Sequence, residues 1–267
     1  MKDYVIKHYE IHSEKLNSRK QSIRIIFISD FHNARFGGKW ARLAADLKSL
    51  HADLILIGGD IVVGKPDHDM ANTKKLLSIL PKDVPVYAAN GNHEYRLKIY
   101  PEVYGSMYGQ YRKLLDQYHV FLLENESVSL QIHGTSLKIS GYELPREYYQ
   151  RFYRGGLPPE KLYEVFPEKK EDAYRILLAH YPKYFETYVS WKADLILSGH
   201  YHGGIVRLGG KYPVVGNDFT LFPKYAYGYY EKEQSVMLVS AGLGEHTIPL
   251  RLGNPRELVV ADIKGKR

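Results

Sequence analysis

The chain has 267 residues, 44% hydrophobic and 25% charged, with a net charge of +7 and no cysteine. It is long enough for a full core, no apolar run approaches the roughly 18–20 residues of a membrane span, and disulfides and thiolate metal sites are excluded. The cysteine-free composition fits a reducing, cytoplasmic setting. The positive charge favours anionic partners: phosphate esters, nucleic acid or anionic lipid heads at a membrane surface. Lys and Arg are spread along the chain with no dense block, which gives nucleic acid little support.

The opening "MKDYVIKHYEIHSEKL" alternates polar and apolar residues without an h-region, and it reads as a strand rather than a signal peptide. Short, nearly continuous apolar runs follow: "IRIIFIS" (23–29), "DLILIG" (53–58), "VPVYAA" (84–89), "RILLA" (175–179) and "DLILS" (194–198). Continuous rather than alternating runs are expected of strands covered on both faces. Helical spacing appears between the early ones, in "WARLAADLKSL" (40–50) and in "MANTKKLLSIL" (70–80) before Pro81. The first third therefore reads βαβαβ with a parallel sheet.

Further on, 120–143 reads as short strands joined by a turn at His133-Gly134. The stretch 144–174 is rich in Tyr, Arg and Pro, with one short helix near 159–166, and is expected to be a surface excursion rather than a lid. Strands return at 235–244 and 257–264. No linker-like segment divides the chain, so residues 1–267 read as a single domain built on two sheets, with the 144–174 insert. The aromatics of that insert and of the loop 217–230 are open to two readings, pocket or membrane contact and plain packing.

Five strand ends carry polar groups of one chemical kind: Asp30-Phe31-His32, Gly59-Asp60, Asn90-Gly91-Asn92-His93-Glu94, His180, and His200-Tyr201-His202. Singly, each is an ordinary turn or cap residue. Together they gather five of the twelve histidines with two aspartates and asparagine. Parallel strands deliver such ends to one crevice. Imidazole and carboxylate suit borderline divalent metals, and the adjacent glycines permit tight turns and close approach.

The series "DFH … GGD … GNHE … AHYP … GHYHGG" resembles the signature of the calcineurin-like metallophosphoesterases, in order and in placement after strands. The C-terminal "FPKYAYG" and "PLRLGNPRELVV" are similar to the bacterial phosphodiesterase branch, which includes UDP-diacylglucosamine pyrophosphatases. The resemblance implies an α/β (α+β) fold of two mixed sheets packed as a sandwich and flanked by helices, four layers in all. It also implies two divalent ions drawn from Mn, Fe, Zn or Co, with Mn favoured. Asp30, His32 and His202 would hold one ion, Asn92, His180 and His200 the other, and Asp60 would bridge them. His93 would face substrate as a proton donor, and Glu94 receives no catalytic role.

Two such ions clamp a phosphoryl group and turn a bridging water into a hydroxide nucleophile. A phosphodiester or pyrophosphate is the expected substrate, with a nuclease or a broad phosphomonoesterase as the alternative and a non-catalytic metal-stabilised binding module behind both. The protein Ser/Thr phosphatases of the superfamily follow the second aspartate with Asp-Arg-Gly, and "GGDIVVGKP" lacks that run. The bacterial branch commonly has Thr between the last two histidines and Gln after the Gly pair, where this chain has Tyr201 and Ile205. Tyr201, at the expected pocket rim, and Arg35, just after the first motif, are candidate substrate contacts.

Overall fold

The computed structural model describes residues 4–16, 22–150, 153, 155–167, 172–210, 212–216, 220–245 and 251–266. Parts of the insert (151, 152, 154 and 168–171), of the 217–230 loop (217–219) and of "PLRLGNPRELVV" (249 and 250) lie outside them.

One six-stranded sheet runs in the order β1-β14-β2-β3-β4-β5, formed by Tyr4–Ser13, Arg256–Gly265, Ile23–Ile28, Leu54–Ile57, Val86–Ala88 and Val120–Leu122. β2 to β5 are mutually parallel, β14 is antiparallel to β2, and β1 is parallel to β14. The other six-stranded sheet runs β12-β13-β9-β8-β7-β6, formed by Gly228–Lys232, Ser235–Val239, Leu195–Ser198, Tyr174–Ala179, Thr135–Tyr142 and Glu126–Ile132. Its four central strands are parallel and its two edges antiparallel. A small hairpin, β10 (Val206–Leu208) and β11 (Tyr212–Val215), stands apart.

Side chains alternate across a strand with period two, and here both faces are apolar. Ile23, Ile25 and Phe27 of β2 point into a core between the sheets, with Leu54, Leu56, Ile176, Leu178, Leu195 and Leu197. Ile26 and Ile28 point the other way, under α1 (Trp40–Ser49), α2 (Ala71–Ser78), α3 (Asn92–Ile99) and α5 (Met107–Gln117), with α4 (Pro101–Tyr104) linking the last two. On the far side, Leu177, Ile196 and Met237 pack under α6 (Glu160–Val165) and α7 (Phe185–Ser190). The result is four layers, helix, sheet, sheet, helix.

The structure differs from the sequence reading in two places. The insert is not a mere excursion: Leu144, Tyr148, Leu157, Leu162 and Phe166 are buried in the outer core, where they cover apolar positions of the second sheet. In addition, α3 begins inside the Gly-Asn-His-Glu stretch, and α5 follows it. α5 buries Met107, Tyr111, Leu114 and Leu115 at helical spacing.

Candidate metal centre

The carboxyl ends of β2, β3 and β4 meet those of β8 and β9, so the five polar ends come from both sheets. Backbone bonds tie them together: Asp30 N–H to Gly59 O at 3.0 Å, His32 N–H to Asp60 O at 2.9 Å, and Gly199 N–H to His180 O at 3.0 Å. Five of the converging side chains sit on left-handed backbone: Asp30 (φ 50°), His32 (47°), Asp60 (54°), His200 (71°) and His202 (50°). This conformation costs a non-glycine residue on the order of 1 kcal/mol or more, and it clusters where function demands it.

Among the described residues, three groups of donors lie close enough to hold an ion: Asp30, His32 and His202; His32, Asp60 and His93; and Asp60, His180 and His200. Asp60 Oδ2 is 3.1 Å from His180 Nε2, 3.8 Å from His32 Nε2 and 4.0 Å from His93 Nε2. Asp30 Oδ1 is 3.4 Å from His202 Nε2 and 3.7 Å from His180 Nε2. His32 Nε2 and His202 Nε2 face each other at 3.1 Å, and Asn92 Oδ1 is 2.8 Å from His200 Nδ1.

The residues fit divalent cations. His180 Nδ1 donates to Gly58 O at 2.7 Å, so in the neutral ring the Nε2 lone pair is directed at the centre. That Nε2 is buried with no hydrogen-bond partner. A metal-ligating imidazole is commonly oriented this way by its second nitrogen. Burial raises the pKa of Asp30, and with His180 opposing and Asp60 adding its charge, the carboxyl is pushed up to about 6. Burial raises that of Asp60 too, but the His180 and His93 charges outweigh it and hold this carboxyl well below its usual range. Burial works against protonation of His180, yet the two carboxylates push it up to about 10. The two acids thus draw positive charge from the imidazoles, a demand that cations satisfy directly.

Second contacts set the loops. Glu94, fully buried, accepts the N–H groups of Asp60 (2.8 Å), Ile61 (2.8 Å), Val62 (3.1 Å) and Gly91 (2.8 Å). Burial and then the Asp60 charge push its pKa up to about 7, against those donors. Asp60 Oδ1 in turn accepts the His93 N–H at 2.8 Å. A Cβ on Gly91 would overlap the Asp60 carboxylate, and one on Gly199 would overlap Asp30 Oδ2 and Ser29 Oγ.

Asp30, His32, Asp60, Asn92, His93, His180, His200 and His202 are all brought together. Arg35 is not among them. It lines a cleft of about 690 Å³ with Lys39, Glu245, Arg251 and Arg256. Tyr201 is buried, its ring 5.6 Å from that of Tyr181, and it lines neither that cleft nor the one beside His200. The sequence reading passed over Glu94 as an anchor, although a glutamate at the third helical position is a helix-start signal. It also passed over Arg251, which donates to His202 O at 3.3 Å, and Tyr149, whose ring lies 5.7 Å from that of His200.

The sequence profile of calcineurin-like phosphoesterases matches residues 23–204. The chain is 27% identical to the uncharacterized protein YpbG of Bacillus subtilis, covering 97% of this chain and 88% of YpbG. It is 28% identical to an uncharacterized metallophosphoesterase of Helicobacter pylori, covering 95% of this chain and 62% of that protein. It is 26% identical to the transmembrane protein with metallophosphoesterase domain of Bos taurus, covering 93% and 54%. The chain thus spans little more than half the length of some relatives. No helix among the described residues is long and apolar enough to cross a membrane. Among solved structures, the sulfate thiohydrolase SoxB of Thermus thermophilus shares the fold at a TM-score of 0.50 and 12% identity, covering 91% of this chain and 56% of that one.

Proposed function

Because the chain belongs to the calcineurin-like phosphoesterase family, we propose that it is a metal-dependent phosphohydrolase that cleaves a phosphodiester or pyrophosphate bond at a centre of two divalent cations. The observation that carries this is the position of Asp60, shared by two of the three donor groups and 3.1 Å from His180 and 3.8 Å from His32. Asp30, His32 and His202 would hold one cation, Asn92, His180 and His200 the other, and Asp60 both. The imidazole and carboxylate donors admit Mn, Fe, Zn or Co, and Mn is the cation we propose.

The chemistry supplied when the cations are bound is neutralisation of phosphoryl oxygens and activation of water at neutral pH. His93 adds a proton donor. Its Nδ1 accepts the Gly64 N–H at 2.8 Å, so the neutral ring carries its proton on Nε2, toward the centre. Asn92, uncharged, leaves the net charge of the site positive toward phosphate. The strands shared among the three cores support reading the chain as one domain. Nuclease action is the second reading: in the cleft lined by Arg35, Glu245 pairs with Arg251 and Arg256, and Arg35 and Lys39 are the cations that suit a polyanion. A cytoplasmic location, peripheral to a membrane surface, remains part of the proposal.

The test is hydrolysis of bis-p-nitrophenyl phosphate by the metal-stripped protein after addition of Mn²⁺. Turnover is expected with Mn²⁺. Absence of turnover with each of Mn, Co, Zn, Fe and Ni would overturn the reading.

A further inference from the structure

A cleft of about 290 Å³ opens against Asn92 and His200, two of the proposed cation ligands. Tyr95, Arg96 and Tyr100, on or just after α3, form one wall, and Arg146 and Tyr149 of the insert form the other. Resting on the phosphoesterase reading above, we propose that this cleft binds a planar heteroaromatic ring attached to the substrate's phosphate, a nucleobase.

Three observations carry the assignment. The cleft shares its floor with the centre, so a phosphate held there places its substituent against these walls. The walls are aromatic and cationic, and Ile99 is the one aliphatic residue lining them among the described residues. Tyr149 is stacked on Tyr181 (5.3 Å, 17° between planes), which holds the Tyr149 ring in place, and the Arg146 guanidinium lies 5.0 Å over the Tyr100 ring. Such surfaces favour the face of a flat π-system over an acyl chain.

Polar capacity also stands unused on lining residues. The Tyr100 hydroxyl and Arg96 Nε are buried without hydrogen-bond partners. Buried groups of this kind are rare unless something pairs with them, and a turn of either side chain toward the cleft would let a base edge supply the missing donor or acceptor. The volume sits near the lower bound of roughly 300 Å³ for small-molecule sites, which suits one base with its sugar and not a long lipid.

The experiment is calorimetric titration of the Mn²⁺-loaded protein with AMP, GMP, CMP and UMP against ribose 5-phosphate. At least one nucleotide should bind about tenfold or more tighter than ribose 5-phosphate, the size expected of one base–aromatic stack. Tyr95→Ala should erase the preference and Tyr100→Phe should reduce it, with ribose 5-phosphate affinity and melting temperature unchanged. Equal binding of all four nucleotides and ribose 5-phosphate overturns the assignment, as does a preference that survives both variants. Base-dependent binding without hydrolysis of any ester would overturn the phosphoesterase reading and leave the cleft assignment standing. A single-stranded hexanucleotide of the preferred base distinguishes the source: tighter, salt-sensitive binding assigns a strand, and equal binding assigns a free nucleotide.

Discussion

His93 Nδ1 accepts the backbone N–H of Gly64 at 2.8 Å, and this bond decides which ring nitrogen carries the proton. Nε2, 4.0 Å from Asp60 Oδ2, is then the donor in the neutral ring. His93→Ala is expected to lower turnover of a diester with an alkoxide leaving group by about 10²–10⁴. A p-nitrophenolate leaving group needs less protonation, so its loss should be smaller. Metal content measured by mass spectrometry should stay at the wild-type level. Joint loss of metal and turnover would make His93 a ligand instead.

Glu94 holds four backbone N–H groups with two oxygens, all within the loop that presents Asp60 and the start of α3. Glu94→Gln replaces one acceptor oxygen with an NH₂ that faces two N–H donors. Buried donors left unsatisfied by the change predict a stability loss of about 1–3 kcal/mol. Urea unfolding at pH 7 measures it. A loss within error would mean that the loop is held by other contacts.

Gly199 matters for what it lacks. A Cβ there would overlap both Asp30 Oδ2 and Ser29 Oγ, on the carboxylate that also accepts the His200 N–H at 2.9 Å. Gly199→Ala should therefore displace Asp30, reduce bound metal and abolish most turnover, while circular dichroism stays near wild type because the strand core is untouched. In the wild type, chelation should lower the melting temperature, since a ligand that binds only the folded state stabilises it by mass action. In Gly199→Ala that shift should be small. An equal shift in both proteins would show that the carboxylate is not needed for metal binding.

The strands were readable because β2, β3 and β9 are almost purely Ile, Leu and Phe and β8 carries the run Ile-Leu-Leu-Ala, buried on both faces. The candidate site residues were readable because each lies within a few positions of the end of such a run. α3 escaped reading because "NHEYRLKI" buries only Glu94 and Leu97 and so lacks an apolar stripe. The left-handed backbone at Asp30, His32, Asp60, His200 and His202 leaves no mark on sequence, since residue type there answers to chemistry and not to φ. The insert misled because its buried face is built of Tyr, Leu and Phe set among Arg and Glu, a mixture that composition alone takes for surface.

Lys98 Nζ, near the end of α3, bridges Glu124 Oε1 and Glu143 Oε2, at 2.8 Å from each. Burial works to raise the pKa of Glu124, but the hydrogen bonds from Lys98 and Tyr108 outweigh it and hold the carboxyl below its usual range. A lowered folded-state pKa gives stability that is complete above the unfolded value of about 4.3 and is lost as the pH falls through the folded value. Glu124→Gln removes the titration and keeps the Lys98–Glu143 pair. Wild type should exceed this variant by up to about 1 kcal/mol at pH 7, a modest figure because solvent screens the partly exposed pair. The gap should close as the pH is taken below about 4. Urea unfolding of both proteins at pH 7, 5 and 3.5 measures it. A gap that widens toward acid would reverse the sign of the coupling and refute the assignment.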